Sequence, residues 1–88
     1  MSASDAVRVV TLTAQAEMAL VRRDAVAGPL LAQAARAAKG LESAAFLEEA
    51  ARLVRGGLDD EAVRVAALSL CRMGLQEAQS ALLGGAAA

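Results

Sequence analysis

Gly40-Leu41-Glu42, Gly57-Leu58-Asp59 and Gly74-Leu75-Gln76 recur at intervals of 17 residues along a chain of 88. One more step of 17 back from Gly40 reaches Arg23-Asp24, a charged pair ahead of another apolar run. Each interval has room for a helix of about 12–14 residues and a short turn, ordinary lengths for both. Glycine just past a helix end can adopt the left-handed conformation that gives the last carbonyls a partner. The leucine after it can pack back over the preceding turn. Acidic residues (Glu42, Asp59, Asp60 and Glu61) then open the next helix, where they complement its dipole. Basic residues gather toward helix ends, as Arg22, Arg36, Lys39, Arg52, Arg55 and Arg72 do.

This punctuation predicts five helices: Ala6 to Arg22, Pro29 to Lys39, Glu42 to Arg55, Asp59 to Met73, and a short one from Gln76 to Leu83. Pro29, just after Gly28, suits a first helical turn, where no amide donor is missed. Nowhere does an alternating apolar and polar pattern of period two suggest a strand. The prediction is an all-α fold, a single helical-hairpin domain over residues 1–83, with a flexible tail at 84–88.

Composition narrows the function. A domain of this size buries only about 60% of the surface its unfolded chain exposes and needs extra support. With one cysteine and no histidine, neither an intrachain disulfide nor the common zinc constellations can be built, which points to a partner. The chain is 57% apolar, above the usual 45–50%, with a mean hydropathy of +0.44. Much of the excess is alanine, but leucine, valine and methionine add apolar surface that a small bundle cannot readily hide. Exposed patches of that kind mark interaction sites. A net charge of −1, interleaved acids and bases, and a single aromatic, Phe46, argue against nucleic-acid binding. The longest uncharged stretch in the helical body, Ala25 to Ala35, is too short for membrane insertion, and Met1 to Asp5 lacks the features of a signal peptide. The expectation is a cytoplasmic protein with a reduced thiol.

Two intervals of 17 make 34, the length of a tetratricopeptide repeat. With Ala62 at the small position of a repeat's second helix, Phe46 falls on the large aromatic position of its first. Ala50, Leu53, Gly57 and Ser69-Leu70 then take the following small, bulky, turn and closing columns. Small residues there let antiparallel helices approach closely. The predicted architecture is therefore antiparallel helical hairpins stacked as a short tetratricopeptide-like array. The alternative is a closed four- or five-helix bundle using the same alanines as core.

The segment Ala67-Leu68-Ser69-Leu70-Cys71-Arg72-Met73-Gly74-Leu75-Gln76-Glu77-Ala78 resembles the tetratricopeptide-like co-chaperones of bacterial type III secretion needle subunits. Ala16-Glu17-Met18-Ala19-Leu20 is similar to that family's opening helix, and Lys39-Gly40 with Gly57 matches its turn spacing. The resemblance covers Ala14 to Leu83. It implies a concave face that grips the C-terminal amphipathic helix of a needle subunit and hides its polymerising surface. It also implies a second small helical chaperone that stabilises the repeat protein.

In repeat geometry the groove-facing, partner-binding positions of helix three are Ala44, Leu47, Ala51 and Val54, with Arg55 at the rim. Helix one contributes Val10, Thr13, Glu17, Leu20 and Val21. Such strips, with spacings of three and four, suit helix-in-groove recognition. For each of these residues, burial inside the domain is the competing expectation. No catalytic, cofactor or metal site is predicted. Cys71 lacks a histidine to activate it and reads as a buried structural thiol. The run Asp59-Asp60-Glu61 reads as a helix opening, and Glu48-Glu49 as a solvated face. The chain is therefore expected to be a protein-binding chaperone or adaptor and not an enzyme. A self-associating structural protein and an accessory subunit of a larger complex are the alternatives.

Overall fold

The computed structural model describes the backbone of residues 3–87 and the side chains of residues 5–84. The described residues form four helices and no strand: α1 (Ala3–Val21), α2 (Ala27–Ala37), α3 (Ser43–Leu53) and α4 (Glu61–Ala87). A single 3-10 turn, Val54–Gly56, extends α3. The all-α fold is as predicted.

Local chemistry explains the boundaries. At the end of α1 the Asp24 amide donates to the Ala19 carbonyl (2.8 Å) and the Arg23 amide to that of Leu20 (3.2 Å). Together these are the Schellman pattern, and Arg23 holds the left-handed position, with φ 57°, where glycine is usual. The Asp24 carboxylate then accepts from the Val26 amide (3.0 Å) and turns the chain into α2. Pro29 is the third residue of α2, inside the turn whose amides have no intrahelical partner. Gly40 and Gly57 have φ 91° and 103°, so the turns predicted at these two phrases are present. Asp60 caps α4 by accepting from the Ala62 amide (2.9 Å).

Gly74 is different. The fourth and fifth predicted helices are one helix, and its backbone continues past Gly84, where the predicted tail begins, to Ala87. Gly74 is buried in the middle of that helix. A Cβ there would lie 3.0 Å from Leu47 Cδ2 and 3.1 Å from Leu47 Cγ. This glycine is needed for close approach of α4 to α3, and no turn occurs at it.

The helices pack in a ring. Each touches the next in sequence, and α4 returns to α1, while α1 and α3 lie across the diagonal with little contact. Bonds from α1 and its turn to α4 run antiparallel: Thr13 with Cys71, Leu20 with Arg64, and Arg23 with Glu61. The predicted hairpins exist, and the α1–α4 seam closes them into the four-helix bundle that was the second of the two expected architectures. The 27-residue α4, about 40 Å long, sets the 43 Å long axis.

Alanine makes up most of the core, with Val9, Leu20, Leu31 and Leu47 as its largest fully buried apolar side chains. Thr13, also buried, donates its hydroxyl to the Val9 carbonyl (2.6 Å) and so joins the apolar stripe of α1 at little cost. The accessible surface is 5125 Å², against about 4,800 Å² for a compact monomer of this mass. The apolar excess therefore does not swell the molecule. It shows instead in which side chains face outward: Val7, Met18, Val21, Val65 and Leu83 are 48–70% exposed.

Candidate functional site

Ring closure redistributes the predicted partner-binding residues. Leu20 and Leu47 are completely buried, and Ala44 and Val54 are buried as well, so four of the seven belong to the core. The physical reason is the α1–α4 seam: with α4 beside α1, no groove runs between α1 and α3, and their apolar stripes meet the bundle centre. Of the further α1 positions, Thr13 is core, Glu17 is half-buried and bonded to Arg72 (2.9 Å), and Val21 is exposed. Val10 is half-buried near α4. The repeat columns diverge too, since Ala62 and Ser69 face solvent while Ala50 is buried.

The structure does bring Ala51, Val54 and Arg55 together on the opposite side, between α2 and α3. A cleft of about 630 Å³ lies there, lined by Gly28, Pro29, Ala32, Ala51, Val54 and Arg55 among others. A second depression of about 350 Å³ continues it, sharing Ala32, Ala51 and Arg55 and adding Ala35, Arg36, Lys39 and Glu48. The two form one groove. Its floor is glycine and alanine, and a Cβ on Gly28 would be in ordinary contact with Val54, at 3.8 Å. The groove follows α2 from Gly28 to Lys39, about 17 Å or three helical turns.

Its rim is mainly basic. Arg36, Lys39 and Arg55 are exposed, and none makes an ion pair with a described residue. Arg23, at one end, is held by Glu61 (2.7 Å), which also accepts from Arg64. The Arg64 and Arg23 guanidiniums keep the Glu61 carboxyl below its usual range. On the outer face of α3, hydrogen bonds from Arg52 likewise lower Glu49. The acids on the rim itself are Glu48 and Asp59. Three free cations above an uncharged, narrow floor favour an apolar ligand edge bordered by carboxylates.

Other reactive-looking residues have structural roles here. Burial pushes the Cys71 thiol up to about 12, the Glu17 charge adds to that, and nearby Arg72 opposes it only in part. The thiol is fully buried and donates to the Thr13 carbonyl at 3.5 Å, so it is a poor nucleophile. In the acidic run, Asp60 caps α4 and Glu61 joins two arginines. No group of three or more potential metal-binding side chains occurs among the described residues, and none of their helices is long and apolar enough to cross a membrane.

Sequence reading missed the groove's α2 wall, Gly28, Ala32 and Ala35, because small residues on a short helix look like core. The 17-residue phrase drew attention to helices one and three instead. Compared with known protein families, curated proteins and solved structures, the chain matches none.

Proposed function

We propose that this chain is a protein-binding module of the chaperone or adaptor class whose α2/α3 groove holds an amphipathic helix with acidic flanks. One observation carries the reading: a floor of Gly28, Ala32, Ala35 and Ala51 beneath Arg36, Lys39 and Arg55, none of them ion-paired with a described residue. Small residues let a third helix lie close to two others, with its larger side chains filling the groove. The cations select for acids along the edges of that helix and speed encounter, an effect that salt weakens. The resemblance to needle-subunit co-chaperones supplies a concrete occupant, the C-terminal amphipathic helix of a type III secretion needle subunit. In this reading the protein works in the cytoplasm and keeps its partner from polymerising early.

The test is site-specific photocrosslinking in the cell that makes the protein. A photoreactive residue at Ala32 should give one discrete adduct, which fragmentation maps to a helical, acid-flanked segment. The same group at solvent-facing Ala66 should not, and Arg55→Glu with Lys39→Glu should remove the Ala32 adduct. Equal labelling from both positions would discard the groove.

A further inference from the structure

The bundle has a second outward face, on the side opposite the groove, along the α1–α4 seam. Cross-seam bonds fix which edge of each helix lies there: Glu17 with Arg72 at its middle and Arg23 with Glu61 at one end. At about 100° per residue, Val7, Met18 and Val21 lie within about 80° of seam-lining Val10 on α1. Val65 and Leu83 lie within about 80° of seam-lining Leu68 and Leu75 on α4, whereas Met73 is about 140–160° from them. Five of the seven exposed large apolar side chains of the described residues therefore flank one seam. Half-buried Val10, Leu68 and Leu75 line the seam beneath them.

We infer that this face is the interface between two copies of the chain. Charge is the first argument. The face carries Glu17 against Arg72 at its middle, and the Arg23–Glu61 pair at the end of the bundle that it shares with the groove, acids and bases already placed side by side. A two-fold axis brings a patch against itself, so an axis that sets Glu17 of one copy against Arg72 of the other sets the reciprocal pair as well. A strongly charged partner finds no such match, in contrast to the basic α2/α3 groove. Area is the second argument. The seam follows α1 for about 28 Å, and two helices side by side are about 20 Å across, a footprint of about 550 Å² per copy. Both copies together exceed the roughly 1,000 Å² that a specific interface needs. The two seams lie on opposite sides of the ring, so a dimer leaves both grooves open and becomes a bivalent holder of helices.

Sedimentation equilibrium of the full chain from about 1 to 500 µM tests this. The expected result is a reversible monomer–dimer equilibrium, weakened at least tenfold by Val65→Lys or Met18→Lys. Met73→Lys, an exposed apolar position off this face, and Arg55→Glu, in the groove, should leave it unchanged. Far-ultraviolet circular dichroism confirms that each variant is folded, and Val65→Thr gives a milder form of the same perturbation. A monomer throughout the range overturns the inference, as does a dimer indifferent to both lysine substitutions. Loss of the Ala32 crosslink in a chain that still dimerises counts against the groove alone.

Discussion

Positions 23, 40 and 57 end helices, whereas position 74, next in the same 17-residue series, lies inside one. The first three have positive φ (57°, 91° and 103°), and no atom lies within 4 Å of a Cβ built on Gly40 or Gly57. Gly74 faces Leu47 across the α3–α4 interface. Glycine thus has two uses here: freedom of the backbone at a turn, and absence of a side chain at a contact. The two are indistinguishable in the written phrase Gly-Leu-acid or Gly-Leu-amide. They differ in what stands opposite the glycine, and that is decided by another helix.

Several measurements sharpen this contrast. The largest effect is expected one turn before Gly74. With its thiol pushed up to about 12, Cys71 should react with a maleimide at pH 8 on the order of a thousandfold more slowly than in the unfolded chain. The sign of the linkage follows: the folded value lies above the unfolded one, near 9.0, so the protonated thiol favours folding below about pH 9. That contribution is lost as pH rises toward 12, and denaturation midpoints should fall over that range more for the parent than for Cys71→Val. Fast labelling of the native chain at pH 8 would mean that α4 opens at this point.

Gly74→Val should cost about 3 kcal/mol in urea unfolding, because a branched side chain cannot enter the space Leu47 fills. Gly57→Ala should cost about 2 kcal/mol for a different reason. Gly57 combines φ 103° with ψ −178°, a region that only glycine occupies readily. A double-mutant cycle separates the two uses directly. Gly74→Ala is expected to destabilise the parent by about 1 kcal/mol, through the clash with fully buried Leu47, and to stabilise Leu47→Ala by about the same amount, through helix propensity. Equal penalties in both backgrounds would return Gly74 to the class of turns. The smallest effect belongs to Arg23→Gly, a gain of about 0.5–1 kcal/mol from relieving the left-handed backbone. It is best measured in 1 M salt, where the exposed Arg23–Glu61 pair is screened.

Much of the fold was legible because its signals are local. Asp24 and Asp60 act within three residues of themselves, and Arg23, Gly40 and Gly57 set their own backbone angles. The candidate site was legible only in part. Ala51 and Arg55 reach a groove, whereas Leu20 and Leu47, with the same helical spacing, lie in the core. An apolar stripe shows that a helix covers something. It does not say whether the cover is another element of the chain or a second molecule.

By itself the sequence determined an all-α chain with turns at Arg23, Gly40 and Gly57, since capping and left-handed conformation depend on nearest neighbours. Tertiary structure alone decided that α4 runs through Gly74, that α4 rather than α3 lies beside α1, and hence which stripes remain open. Those outcomes depend on how four helices of unequal length fill one interior. Packing of that kind joins residues tens of positions apart, and no short phrase can record it.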